Sequence, residues 1–183
     1  GPVAVVGAVD RQAELREGGG RSALDQRGPG GGARVVVVND GCPSPDTHAI
    51  GERLAREAPD VVAYLRQENA GVSAARNAGI DLALDRWPDV RALFALDADN
   101  RLSPGTLAHL LDALDADPRL DWAVPALTLE GGEGPEVWQL PGPYTTYRQM
   151  FENQCDTGTL IRRDVFERGL RFDPTMRDGY EDW

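Results

Sequence analysis

Four short apolar runs recur through the first half of the chain, Val3 to Val6, Val35 to Val38, Val61 to Leu65 and Ala92 to Leu96. Each is built of β-branched or other aliphatic residues and is too short for an independent helix, the pattern of a strand buried on both faces. The stretches between them take the longer helical period. Ser44-Pro45-Asp46 sets a cap before a proline suited to a first helical position, and Ile50, Leu54 and Ala58 then share one face. This predicts a helix of about three turns. Val72, Ala75, Gly79 and Leu82 recur at three- and four-residue spacing and predict a second helix, stopped near Trp87-Pro88 because proline cannot continue it. Ser103-Pro104 repeats the start signal, Leu107, Leu110, Leu111 and Leu114 form the stripe of a third helix, and Pro118 closes it. Strands alternating with helices specify βαβ units, hence an α/β fold with a mostly parallel sheet flanked by helices.

Two regions break this rhythm. From Glu17 to Ala33 the chain carries seven glycines and a proline, which make a persistent helix unfavourable and predict a flexible loop at 17–33. No Gly-Lys-Ser or Gly-Lys-Thr follows, so these glycines do not form a phosphate loop. Gly131 to Tyr147, rich in glycine, proline and aromatics, reads as a second irregular region lying over a site.

Composition narrows the function. At 183 residues with 41% hydrophobic content the chain can bury one sizeable core, so residues 1–183 read as a single domain. A net charge of −11 argues against a nucleic-acid partner, which would need a basic face, and implies that any bound phosphate is accompanied by a metal. Cys42 and Cys155 match neither a zinc spacing nor a dense disulfide framework and point to a reducing compartment. No run approaches the roughly 18 apolar residues of a membrane span, and no signal peptide is evident. These features predict a cytoplasmic protein without a transmembrane segment. The start at Gly1-Pro2, without a methionine, reads as a processing scar or a cut within a longer protein.

The candidate chemistry lies where strands end. Ala92 to Leu96 runs directly into Asp97-Ala98-Asp99. In extended backbone residues i and i+2 project to one side, so both carboxylates would face a ligand at the carboxyl edge of a parallel sheet and offer hard oxygens to magnesium or manganese. The same tripeptide recurs at Asp115-Ala116-Asp117, but at a helix C-terminus, where the dipole disfavours an anion cluster, and it reads as a solvated helix end. Val35 to Val38 leads into Asn39-Asp40-Gly41, which puts Asp40 on the same edge, able to accept hydrogen bonds from a base or ribose or simply to cap a turn. Glu68 to Gly79 is a strand-to-helix turn with Arg76 early on a small-residue helix, a geometry that can meet a nucleotide. His48 and His109 lie on expected helices without a metal partner and read as structural or exposed. The tail holds the adjacent acids Glu181-Asp182 after Gly179.

In this order the pieces resemble the family 2 inverting glycosyltransferases, from about Val35 to Trp183. The resemblance rests on Asn39-Asp40-Gly41, on Asn69-Ala70-Gly71 with Ala75-Arg76-Asn77-Ala78-Gly79, on Leu96-Asp97-Ala98-Asp99, and on Gly158 to Arg163 leading to Gly179-Tyr180-Glu181-Asp182-Trp183. It implies the GT-A fold, a Rossmann-like nucleotide-binding sheet, and a catalytic domain cut short at its C-terminus. It implies that Asp40 contacts the base, Arg76 lies near the nucleotide, Asp97 holds the ribose side and joins Asp99 at a Mn2+ or Mg2+ ion, and Asp182 is the catalytic base with Glu181 beside it. The donor it implies is a nucleoside-diphosphate sugar, a UDP-sugar first. The acceptor would be a carbohydrate, lipid-linked or other hydroxyl, which allows a position peripheral to the inner face of the membrane. Trp183 or Trp138 could pack on a sugar face or serve a core or lid. Where family members continue the first strand into a proline, a small residue, tyrosine and asparagine, this chain has Val6-Gly7-Ala8-Val9-Asp10-Arg11. Two other classes compete: a catalytically silent nucleotide-sugar-binding module of the same fold, and a nucleotidyltransferase, whose basic glycine-rich first loop is missing.

Overall fold

The apolar runs form the centre of one sheet in the computed structural model, which describes residues 1–9, 17–26, 32–129, 136–138, 144–151, 153–154 and 157–176. Strands β1 (Val3–Val9), β2 (Arg34–Asp40), β3 (Val62–Gln67) and β4 (Ala92–Asp97) are parallel; β5 (Trp122–Ala123) and β8 (Leu160–Arg162) complete the order β3-β2-β1-β4-β8-β5. Strand β8 is antiparallel to both its neighbours. A separate antiparallel pair joins β6 (Leu127–Leu129) to β7 (Glu136–Trp138). The expected α/β class, a mostly parallel sheet flanked by helices, is the one observed.

Alternation along each strand divides the interior into two layers. Val5, Val35, Val37, Phe94 and Leu96 pack with Leu107, Leu110 and Leu114 of helix α4 (Thr106–Ala116). Val6, Val36, Val38 and Leu93 pack on the other face with Ala75, Ile80 and Ala83 of helix α3 (Val72–Arg86). Gly79 sets the closeness of α3: a Cβ there would lie 2.4 Å from Val6 Cγ1 and 2.9 Å from Val38 Cγ2. Helix α2 (Pro45–Glu57) begins at the proline, as the sequence predicts, and its Gly51 rides against the ring of Tyr64.

The glycine-rich stretch departs from expectation. Residues Glu17–Leu24 form helix α1, not a loop; residues 27–31 lie outside the described residues. Three consecutive glycines weaken a helix by about 1 kcal/mol each relative to alanine, but tertiary contacts override propensity here. Ala23 is fully buried in the first core layer. Just past the helix, Gln26 donates to the Ser103 carbonyl at 3.0 Å and accepts from the Leu107 amide at 3.3 Å, and Ser22 Oγ accepts from the Leu102 amide at 3.1 Å. The second irregular region likewise contains order, β7 and the single turn α5 (Thr146–Gln149). Helix α4 starts at Thr106 rather than at Pro104, because Gly105 adopts a left-handed conformation (φ 81°) that forces a turn first.

Two adjacent arginines at the end of β8 lock the layers. Arg162 donates to the Leu114 and Leu120 carbonyls, Arg163 to the Leu84 and Trp87 carbonyls. Neighbouring residues leaving a strand point to opposite faces, so one arginine caps the end of α4 and the other the end of α3, which short helix α6 (Arg163–Glu167) follows.

Candidate active site

The carboxyl edge of the parallel strands carries the acids that the sequence placed there. Asp40 ends β2 and is wholly buried. Its Oδ1 accepts from Gln67 Nε2 at 2.7 Å and from the Ala70 amide at 2.9 Å, and its Oδ2 accepts from the Gly71 amide at 2.9 Å. Asn69 Nδ2 returns a bond to the Asp40 carbonyl at 2.9 Å. The carboxylate thus holds the loop at the amino end of α3, where the helix dipole favours a negative charge. Gly41 permits this approach, with φ 74° and space for no Cβ, which would fall 2.8 Å from the Asn69 nitrogen. Asn39 fixes the turn from the other side: its Oδ1 accepts from the Cys42 amide at 2.8 Å and its Nδ2 donates to the Tyr64 hydroxyl at 3.0 Å. The Tyr64 hydroxyl in turn meets His48 Nδ1 at 3.0 Å, and burial raises the Tyr64 pKa above its ordinary value against the pull of the Asn39 bond.

Asp97 ends β4, level with Ala8 of β1, which is also level with Val38 of β2. One strand therefore separates the two acid-terminated strands, a lateral spacing of about 10 Å. Both acids turn toward α3. Arg76, on its second turn, donates through Nη2 to Asp97 Oδ1 at 2.6 Å; the arginine side chain is 5% exposed and the aspartate 33%. The other face of the guanidinium lies over the Phe172 ring, 5.2 Å from its centroid.

Asp99 does not continue the strand. The backbone closes a turn, with the Asn100 amide donating to the Asp97 carbonyl at 3.0 Å, because the Asp-Ala-Asp-Asn sequence favours a turn once pairing with β1 ends. The extended i, i+2 arrangement expected for Asp97 and Asp99 is thus replaced by a turn that carries Asp99 into solvent. No hydrogen bond or ion pair among the described residues occupies its carboxylate. Among the described residues no three His, Cys, Asp or Glu side chains gather as a ready metal cage. The arrangement suits a magnesium-like ion, which takes one or two protein carboxylates and fills its remaining positions from phosphate and water.

Beside Asp97 a small, largely apolar pocket opens among the ends of β1, β2 and β4 and α1, reaching Gly7, Ala8, Gly20 and Ala98. The twin tripeptide is different. Asp115 pairs with Arg91, which lowers its pKa; Asp117 is gripped by the Arg119 guanidinium at 2.7 and 2.9 Å, which lowers its pKa to about 2. Both carboxylates already have cationic partners on the surface. His109 Nδ1 is hydrogen-bonded to its own helix start, the Gly105 carbonyl at 2.9 Å, and Cys42 is buried against Thr47.

Glu181, Asp182 and Trp183 lie outside the described residues, as do Cys155, Asp10 and Arg11, and of Trp138 only the backbone is described. Sequence reasoning missed Gln67, the direct partner of Asp40, and Phe172, the partner of Arg76. A polar residue at the end of the strand facing Asp40 was a usable signal for Gln67; nothing local marks Phe172.

The profile of glycosyl transferase family 2 matches residues 20–170. The chain belongs to glycosyltransferase family 2. Polyprenol monophosphomannose synthase of Mycolicibacterium smegmatis is 39% identical to this glycosyltransferase-family chain over 99 residues, 54% of this chain and 36% of the relative. Among solved structures, S. aureus TarS 1–349 superposes with a TM-score of 0.72 at 16% identity, covering 99% of this chain and 52% of that one. The mannosyltransferase PcManGT from Pyrobaculum calidifontis, in complex with GDP-Man and Mn2+, gives 0.64 at 20% identity, covering 94% of this chain and 47% of that one. These likenesses bear out the GT-A fold. The family 2 chain spans about a third of the length of the curated relative and about half of each solved chain.

Proposed function

We propose that this chain is the donor-binding part of a metal-dependent, inverting glycosyltransferase that moves a sugar from a nucleoside-diphosphate sugar to an acceptor hydroxyl. The observation that carries the reading is the exposed Asp99 carboxylate, unpaired among the described residues, beside the Arg76–Asp97 pair at the carboxyl edge where parallel α/β sheets bind ligands. Support comes from family membership and from neighbours of the same fold, one of them in complex with GDP-Man and Mn2+.

In this reading Asp40 works at the base end, by fixing the Asn69-Ala70-Gly71 loop against which the base rests. Asp97, oriented by Arg76, would face the ribose, and Asp99 with Asp97 would hold a Mg2+ or Mn2+ ion. That ion supplies positive charge against the departing nucleoside diphosphate. The diphosphate charge calls for such a cation, since Arg76, the buried cation at this edge, is already paired with Asp97. Asp182 is the general base that takes the acceptor hydroxyl proton as that oxygen attacks the anomeric carbon. The bond from that carbon to the diphosphate oxygen breaks on the opposite side, which inverts the anomeric centre. Glu181 orients the base or the acceptor. A UDP-sugar is the first donor to try, and carbohydrate or lipid-linked hydroxyls the first acceptors. No helix among the described residues is long and apolar enough to cross a membrane, and a cytoplasmic site of action, peripheral to the inner face of the membrane, suits such acceptors.

The test is release of nucleoside diphosphate from a panel of nucleotide-sugars with manganese, with and without acceptors. Turnover that Asp182→Asn abolishes while nucleotide binding survives supports the enzyme. Tight nucleotide binding without turnover on any donor–acceptor pair refutes it in favour of a silent binding module.

A further inference from the structure

We propose that Phe172, clamped by Asn77, is a positioning residue of the donor site that acts through Arg76. The inference rests on the reading of that site given above. Arg76 is the least exposed cation among the described residues, and among those residues the Asp97 carboxylate at 2.6 Å and the Phe172 ring at 5.2 Å both act on its guanidinium. The carboxylate fixes one end of the guanidinium. The ring attracts its face, since the negative π surface favours a cation over it, and so sets the plane in which the fork meets Asp97.

Phe172 does not hold this position by packing alone. Asn77, next to Arg76 on α3, makes both of its amide hydrogen bonds to the Phe172 backbone, donating to the carbonyl at 2.8 Å and accepting from the amide at 2.9 Å. One turn further along, Asp81 accepts from Arg171 at 2.6 and 3.1 Å. Three residues of α3, at spacings of one and four, thus bind two consecutive residues that follow almost a hundred positions later. An asparagine satisfying both backbone groups of one distant residue fixes register as a strand partner would. Arg76 and Phe172 together line a narrow cleft with the buried Thr157 and Thr159.

The consequence is specific to a cation–ring contact. Leucine at 172 keeps apolar bulk and loses the π face; tyrosine keeps both. Titration of UDP and of GDP, each with manganese chloride, into the wild-type chain and the variants reads the effect. Phe172→Leu should weaken nucleotide binding about five- to twentyfold, the range of a partly desolvated cation–π contact. Phe172→Tyr should restore it to within about twofold, at an unfolding midpoint close to that of the leucine variant. If Phe172→Leu fails to fold, Asn77→Ser, which loosens the clamp and keeps the ring, should weaken binding in the same direction. Wild-type-like binding by Phe172→Leu, or a tyrosine variant as weak as leucine, overturns this inference alone. A wild-type chain that binds neither nucleotide with manganese overturns the donor site and this inference with it.

Discussion

Removing the two members of the Arg76–Asp97 pair one at a time should destabilise the protein unequally. Arg76 is 5% exposed and Asp97 33%, so water reaches one partner far more readily than the other. Asp97→Ala takes the carboxylate from a guanidinium that is only 5% exposed and so rehydrates poorly. Breaking a buried pair from one side costs about 3–5 kcal/mol, and partial exposure of the lost partner places this case near about 3 kcal/mol. Arg76→Met leaves a carboxylate that turns into solvent through its exposed third, and methionine fills much of the vacated stem. The remaining loss is one charge-assisted hydrogen bond and the ring contact, about 1.5 kcal/mol. The double variant removes both charges, so it should fall short of the sum of the single losses by about 2 kcal/mol, the coupling expected of residues in direct contact. Urea unfolding at neutral pH, followed by tryptophan fluorescence, measures all three. With a slope of about 2 kcal/mol/M, Asp97→Ala should lower the midpoint by roughly 1.5 M and Arg76→Met by about half as much. Additivity within about 0.5 kcal/mol, or a larger loss from Arg76→Met, would refute the argument from burial.

Other expectations follow from the same contacts. Arg163→Ala frees the Leu84 and Trp87 carbonyls, each bonded at 2.9 Å, and should lower the thermal midpoint by about 5–10 °C, with lysine recovering less than half because it lacks the planar fork. Gly79→Ala should destabilise by about 1–3 kcal/mol despite alanine's helix preference, since its Cβ would lie 2.4 Å from a Val6 methyl; a stabilised variant in chemical denaturation would contradict the packing argument. Asp117 has its pKa lowered to about 2, so its stabilising effect is present above its ordinary value near 4 and is lost as pH falls toward 2. The thermal-midpoint gap between wild type and Asp117→Asn should therefore be small, greatest near neutrality, and gone by about pH 2. A gap that widens on acidification would reverse that sign.

The four parallel strands and three main helices were legible because their burial is periodic, and a run such as Val35 to Val38 has few other uses. Helix α1 was not legible, since Gly18-Gly19-Gly20 opposes it locally and the contacts of Ala23 and Gln26 that support it are distant in sequence. Strands β5 and β8, of two and three residues, are too short to register as patterns. At the site, the acids could be read from their place at strand ends, and Asp97 could be told from Asp117 by the element each one terminates. Their partners were harder. The buried ends of Asp40 meet backbone amides, which carry no residue identity, and the contact between Arg76 and Phe172 spans 96 positions that no local rule connects.

In the proposed reading the turn after β4 holds a metal–nucleotide complex and its twin after α4 does not. Calorimetric titration of UDP and GDP, with and without manganese, into wild type, Asp99→Ala and Asp117→Ala tests it directly. Binding should require the metal, weaken at least about tenfold in Asp99→Ala, and be unchanged in Asp117→Ala. Equal affinities in the two variants, or nucleotide binding indifferent to manganese, would contradict it.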